Sequence, residues 1–458
     1  MKMKNIVVDS LKSLVLQIDA DYLGQDVAIT GININSRLIK EGQLFVAIKA
    51  IRDGHEFINS AIEKGAVAVM VDRKIKDLNV PQIVVSDTKS ALLQLAKIHR
   101  QSLKMPMIAI TGSCGKTTVK EMLVCILKSH YNVHYSQGNF NNDLGIPMVL
   151  FDTPKEADVV VLEAGTNSPG EIAVLADLIK PQIATITNVS ASHLEKLKSL
   201  DGVMAEKGEL LRSLPLDGVA VINLDDERIV LFSTSLNCKK ISLSMRKDPK
   251  ADLYLERLDF VDEGMAVTFG YHGDKAAGFL PLTGRHQVQD ALIACALAMS
   301  FDVDLKMALS TLRSFHSYQG RMVKSRLNAR FSLIDDSYNA SVPSVKAAIE
   351  TLSQSEGMKL FIMSNMGELG DKAKQYHRQM GRWIAESRID KVFLYGDKNL
   401  LSLTVKESGG KAQYFASKEE MAMKLGDIMG DTDNGGTILI KGSRANRMEE
   451  LIKMMERF

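Results

Sequence analysis

The chain has 458 residues, 45% of them hydrophobic and 24% charged, with a formal net charge of +2 at pH 7. That length exceeds one ordinary core and gives about three domains, and the charge balance offers no global field to a nucleic acid or an anionic membrane. The four cysteines lie far apart with no CxxC pair, and the longest apolar stretch, residues 291–299, is far short of the ~20 residues that cross a bilayer, so a reduced cytoplasmic protein is expected.

Near the start, Asp9, Lys12 and Asp19 interrupt any signal-peptide core. Residues 1–104 then mix short strand-like runs (QLFVAIK, AVAVMV, PQIVVS) with a helix, ALLQLAKIHRQSL. Ser36, Arg37 and Lys49 stand near the Asp53-Gly54-His55 turn. Two cations by a glycine turn suit a diphosphate; an ordinary polar surface fits them equally.

Residues 106–118, PMIAITGSCGKTT, open the second region. A strand-type run breaks into Gly112, Ser113, Cys114 and Gly115, then Lys116, Thr117 and Thr118, and a helical segment, VKEMLVCILKSH, follows. Glycines let such a loop turn its backbone N–H groups around phosphate oxygens, and the helix points its positive end at the same anion. Lys116 can reach the β/γ-phosphates, and the Thr117 hydroxyl can hold Mg²⁺. Ile110 stands where the full pattern wants a further glycine, so the loop is a shortened variant.

Beyond the loop, QGNFNNDLGIP carries Asn139, Asn141 and Asn142, amides that suit either a polar ligand or a plain turn. VVVLEA ends on Glu163, a strand-tip carboxylate of the kind that partners Mg²⁺ in phosphate-loop proteins; a solvated loop carboxylate is the other reading. QIATITNV and GVAVINL are further strands, and the alternation with helices predicts a parallel sheet. His193 follows a strand and turn, and Lys207 sits in AEKGEL. A lone histidine or lysine is more often structural or solvated than functional. Residues 290–299 form a buried helix near the region's end.

The third region, residues 320–458, repeats the alternation. FSLIDD, KLFIMSN, KVFLYG and TILIKG read as strands; SVKAAIETLSQ, QYHRQMGRWIAES, EEMAMKLGDIMG and NRMEELIKMMERF read as helices. That is a doubly wound pattern, whose ligands bind at the carboxyl ends of the strands. The expected fold is therefore α/β in three domains: a small N-terminal α/β domain (1–104), a central phosphate-loop parallel-sheet ATPase domain (105–319) and a C-terminal Rossmann-like domain (320–458).

Taken together, these segments resemble the Mur ligase family. The matching pieces are NSRLIKEGQLFVAIK, DGHEF, TGSCGKTT, GNFNNDLGIP, LEAGTNSPGEI, TNVSASHLE, AEKGEL, INLDDE, GRHQVQDALIA, IDDSYNA, MGELG and KGSRANRME, in the family's order from Asn35 to Glu449. IDDSYNA and MGELG, with no DNPR segment, favour the branch that joins D-alanyl-D-alanine to UDP-N-acetylmuramoyl-tripeptide. The resemblance implies a cytoplasmic monomer that uses ATP and two Mg²⁺, with neither nucleic acid nor membrane as partner. It assigns Lys116 and the loop amides to the phosphates, Thr117 and Glu163 to one Mg²⁺, and His193 and Lys207 to a second. Lys207 would carry a CO₂-derived carbamate. Arg321 and Asp336 match nucleotide-contacting positions. Ser36 and Arg37 fall in the segment that recognises the UDP-sugar, with Lys49 nearby and Asn139, Asn141 and Asn142 facing the same substrate. Asn339 and the turn holding Lys441, Ser443 and Arg444 would close over the dipeptide.

Four departures from the family pattern stand out. Asn35 replaces a common Asp, Lys49-Ala50 a frequent Lys-Gly, Gln287 and Asp290 two asparagines, and Ala340-Ser341-Val342-Pro343 the more usual Ala-Asn-Pro. The implied chemistry is γ-phosphoryl transfer to a carboxylate, then attack by the dipeptide amine on the acyl phosphate, with ATP, UDP-substrate and dipeptide binding in that order. A folate polyglutamate synthase, a phosphate-loop switch or transport ATPase and a catalytically silent binding protein are the rival readings. Cys114, inside the loop, is expected to react with alkylating reagents and to be protected by ATP; a buried filler is the equal alternative.

Overall fold

The computed structural model describes residues 8–431 and 435–455, and its strands form where the β-branched runs stand in the sequence. The chain divides into two units, Met1–Ala109 with His130–Thr166 and Gly170–Gln182, and Ile110–Ser129 with Asn167–Pro169 and Ile183–Phe458. The boundary falls inside the strand Met107–Thr111.

In the first unit, a five-stranded sheet has the spatial order Asp21–Leu23, Gln82–Val84, Ala66–Val71, Gln43–Val46, Ile32–Asn33. All pairs are parallel except the first. The central strand is buried along nearly its whole length, as expected for a sheet covered on both faces. The helix Thr88–Ser102 begins three residues before the expected segment because Asp87 caps it, accepting from the Ser90 N–H at 2.7 Å. Its buried Arg100 donates to the carbonyls of Ile179 (2.7 Å), Leu103 (2.9 Å) and Lys180 (3.2 Å). Those bonds fix the helix to the end of Glu171–Ile179 and supply partners to carbonyls that a helix terminus leaves unpaired. The strands Val133–Tyr135 and Val159–Glu163 pair in parallel and carry Ser136 and Glu163 at their ends.

In the second unit the strands Ile183–Ile186, Val219–Asn223, Lys239–Ser244 and Leu253–Val261 run parallel in that order. The last continues into an antiparallel meander, Gly264–Tyr271 and Asp274–Leu280, which the sequence reading did not identify. The buried helix is longer than expected, Arg285–Met299 rather than 290–299, and packs on the phosphate-loop helix Lys116–Leu127.

A six-stranded sheet follows, ordered Val323–Arg326, Phe331–Asp336, Gly436–Lys441, Met358–Ser364, Lys391–Tyr395, Ala412–Phe415, parallel except for its first pair. The last strand in sequence inserts between Phe331–Asp336 and Met358–Ser364, creating the crevice where doubly wound folds bind ligands. Phe331, Leu360, Ile362, Phe393, Ile438 and Ile440 build the core beneath it. The helix Val342–Ser353 starts with a capping box between Ser341 and Ser344. The final expected helix, 446–458, is seen as Glu449–Met455; its last three residues lie outside the described ones.

Candidate active site

The phosphate loop is held by a second loop, residues 187–192. Ser113 N–H donates to the Asn188 carbonyl at 3.0 Å. The Asn188 side chain accepts from Cys114 N–H at 3.1 Å and donates to the Cys114 carbonyl at 3.2 Å. Thr187 donates to that carbonyl at 2.5 Å, and the Ser113 hydroxyl accepts from Ser190 N–H at 3.0 Å and from the Ser192 hydroxyl at 2.9 Å. The next strand braces the clamp: Asn223 donates to the Thr187 carbonyl at 2.9 Å, and Asp226 accepts from Val189 N–H at 2.7 Å. In the sequence, the TNVSAS run is a family-matching segment with no role assigned before His193. Small hydrogen-bonding residues directly after a buried strand were the available signal.

Both loop glycines are structurally required. Gly112 and Gly115 have φ of +152° and +80°, and a Cβ at either would collide, with the Thr187 hydroxyl and the Asp290 carboxyl oxygen respectively. Lys116 arches back over the loop, Nζ donating to the Gly112 carbonyl at 2.8 Å. Thr117 and Thr118 are buried in the first helical turn. With the Ser113 and Cys114 N–H groups turned to Asn188, what suits an anion here is the Lys116 ammonium and the N-terminus of the helix Lys116–Leu127. Three buried polar atoms without a hydrogen-bond partner belong to residues joined to the loop: Thr111 Oγ1 directly before it, Ser190 Oγ in the clamp and Arg321 Nε in the residue that bonds Thr117. Unsatisfied buried groups are costly, so their concentration here fits a polar ligand such as a nucleotide.

Lys207, on the helix Leu200–Arg212, is 1% exposed. Burial, reinforced by the Lys116 charge, lowers its pKa to about 7. His193 sits in a left-handed conformation (φ +53°), and its Nδ1 is 2.5 Å from Glu368 Oε2. The hydrogen bond from His193 holds the Glu368 carboxyl below the usual range.

Residues after position 320 also reach the loop. Arg321 Nη2 donates to the Thr117 hydroxyl at 3.2 Å while its guanidinium stacks 4.2 Å from the Tyr338 ring centre. Arg444 lies on the same ring at 5.8 Å. Cys114 Sγ is 2.9 Å from Ser341 Oγ. Lys441 is buried, with Nζ 2.5 Å from Asp336 and donating to the Asn339 carbonyl at 3.0 Å. Burial lifts the Asp336 carboxyl while Lys441 opposes the shift. Asn339 turns its side-chain oxygen to Ala340 N–H at 2.8 Å, and Ser443 N–H donates to Ser364 Oγ at 2.9 Å.

In the first unit, Glu163 is 3% exposed and its Oε1 accepts from Asn141 Nδ2 at 2.9 Å. Asn142 accepts from the N–H of Gly145, the first residue of the helix Gly145–Phe151, at 2.8 Å, while Asn139 is exposed. That helix packs against Ile32–Asn33, the strand leading to buried Ser36 and exposed Arg37. Asn35 pins the turn by accepting from Arg37 N–H at 3.0 Å. Lys49 pairs with Asp72, and Asp72 and Asp53 flank His55, so this lysine belongs to a local charge cluster.

Among the described residues no group of three or more His, Cys, Asp or Glu side chains is arranged to hold a metal, and no helix is long and apolar enough to cross a membrane. Residues 110–298 match the Mur ligase middle domain, 320–444 the Mur ligase, glutamate ligase domain, and 28–100 the Mur ligase family, catalytic domain. The chain is 33% identical over 448 residues to UDP-N-acetylmuramoyl-tripeptide--D-alanyl-D-alanine ligase of Escherichia coli (strain K12), covering 98% of each. It is 33% identical over 442 residues to the protein of that name from Bacillus subtilis (strain 168), covering 94% of this chain and 93% of the relative. A crystal structure of MurF from Acinetobacter baumannii is similar with a TM-score of 0.91 and 29% identity, over 98% of this chain and 99% of that one.

Proposed function

This chain belongs to the Mur ligase family, and on that premise we propose that it joins D-alanyl-D-alanine to UDP-N-acetylmuramoyl-tripeptide in peptidoglycan precursor synthesis, at the expense of ATP. The observation that carries the reading is the clamped loop, with Lys116 folded over two glycines that tolerate no side chain. The γ-phosphoryl passes to the terminal carboxylate of the tripeptide, giving an acyl phosphate. The dipeptide amine then attacks the acyl carbon, and the tetrahedral intermediate expels phosphate and forms the amide. Such transfer needs positioning and charge neutralisation, which Lys116, the N-terminus of its helix and Arg321 provide.

The donor chemistry suits Mg²⁺. Thr117 and Glu163 each offer an oxygen donor of the hard kind that this ion takes. Bound Mg²⁺ would neutralise phosphate charge. Lys207, with His193, would serve a second ion, and a pKa of about 7 supports carbamylation, because only the neutral amine attacks CO₂. For His193 to serve there, its ring must leave Glu368.

We divide the chain at 104 and 319, in agreement with the three matched stretches. Ser36, Arg37 and the Asn139–Asn142 loop take the UDP-substrate; Asn339, Ser443 and Arg444 take the dipeptide. Asp336 and Lys441, buried against each other, shape that crevice from beneath. We read the protein as a cytoplasmic monomer. Phosphate release from Mg²⁺-ATP tests the function: release that requires both UDP-N-acetylmuramoyl-tripeptide and D-alanyl-D-alanine supports it, and release indifferent to both overturns it.

A further inference from the structure

Asp290 is one of the departures from the family pattern, and its surroundings give the change a consequence. Its side chain is 7% exposed, on the helix Arg285–Met299, with a carboxyl oxygen occupying the space beside Gly115 that any side chain there would need. One turn earlier on the same helix, Gln287 Oε1 is buried without a partner. Asp290 therefore borders the phosphate loop, and burial governs the state of its carboxyl.

We propose that Asp290 is a positioning residue of the nucleotide site: its carboxyl serves the phosphate loop in the protonated form, and its ionisation loosens the hold on the nucleotide phosphates. An ionised carboxylate beside Gly115 would compete for Lys116 and repel the bound anion in a dry environment. An amide in that place carries no such penalty, so the proton dependence is peculiar to the aspartate.

The surrounding charges leave the carboxyl dominated by its burial. Burial raises its pKa to about 8, and Arg321 is the charge that opposes the shift. On its own helix, His286 is kept neutral by burial and by Lys441, titrating at about 4. The packed helix Lys116–Leu127 brings Lys116, Lys120 and Glu121, the last two 2.9 Å apart. On Val342–Ser353, Lys346 and Glu350 pair with each other at 3.9 Å. Lys306, Lys239 and Lys240 on the other packed elements are exposed, Glu256 pairs with Lys247 and Lys275, and Arg257 pairs with Asp259. Val219–Asn223 brings no charged residue.

The inference rests on reading the loop as a nucleotide site. ADP binding to the full chain, measured by calorimetry at pH 7.0 and 9.0, tests it in the wild type and in Asp290→Asn. Affinity should fall about tenfold more in the wild type than in the variant, the factor for a site closed by ionisation near 8. Any loss from Lys207 appears in both proteins and cancels. Should Asp290→Asn not fold, Asp290→Ser, smaller and also neutral, replaces it. Equal pH dependence in wild type and variant overturns this inference alone. Absence of ADP binding by the wild type at either pH overturns the nucleotide reading and this inference with it.

Discussion

The Asn188 side chain pairs with both backbone groups of Cys114, accepting from its N–H at 3.1 Å and donating to its carbonyl at 3.2 Å. The phosphate loop thus takes its shape from a neighbouring loop, and Asn188→Ala leaves the Cys114 N–H without its partner while the carbonyl keeps only Thr187. Loss of such bonds costs on the order of 1–3 kcal/mol. We expect KM for ATP to rise about 10- to 100-fold with a modest fall in melting temperature. Unaltered KM would show that the loop holds its shape without the Asn188 side chain.

Lys207 should make activity depend on CO₂. With a pKa of about 7 against an ordinary 10.5, its amine is neutral at pH 8 and mostly charged at pH 6. Enzyme stripped of CO₂ should lose activity and regain it with bicarbonate, roughly tenfold faster at pH 8 than at pH 6. Lys207→Arg should stay inactive in either case. The same shift has a stability consequence. The folded state holds fewer protons than the unfolded between about 7 and 10.5, so the burial cost is full below that interval and vanishes above it. Activity indifferent to bicarbonate in stripped enzyme would remove the carbamate from the account.

Much of this arrangement was legible in the chain. Runs such as AVAVMV and FSLIDD appear as the strands Ala66–Val71 and Phe331–Asp336, because β-branched residues flanked by turns leave few alternatives. The meander Leu253–Leu280 is not legible in the same way: the mixed polar pattern of its first strand, LYLERLDFV, belongs to a sheet with one face half exposed. Gly112, Gly115 and Lys116 could be read from spacing, since phosphate geometry demands them. Thr187 and Asn188 could not, because their partners are backbone atoms about seventy residues away and no spacing rule encodes that distance. The family resemblance puts Lys441 in a turn that closes over the dipeptide; its burial against Asp336 emerges only when two strand ends meet.

Asp336 and Lys441 supply a stability test. Lys441→Met strands a buried carboxylate, which costs on the order of 3–5 kcal/mol, and the melting temperature should fall sharply. Adding Asp336→Asn should restore part of the loss. Equal melting temperatures for the single and double variants would mean that the pair is uncoupled.

Cys114 is half-buried, with Sγ against Ser341 Oγ at 2.9 Å, inside the loop that ATP would fill. A thiol-alkylating reagent should inactivate the enzyme, and saturating ATP should slow inactivation at least tenfold. Cys114→Ser, which preserves a hydrogen-bonding group opposite Ser341, should resist the reagent. Equal inactivation rates with and without ATP would contradict the placement of the nucleotide.

The central claim is that ATP activates the tripeptide carboxylate as an acyl phosphate before the amine attacks. Its most direct test uses UDP-N-acetylmuramoyl-tripeptide labelled with ¹⁸O in the terminal carboxylate, together with Mg²⁺-ATP and D-alanyl-D-alanine. The account predicts one labelled oxygen in the released phosphate for each amide formed. Label found in AMP, or phosphate released without label, would contradict it.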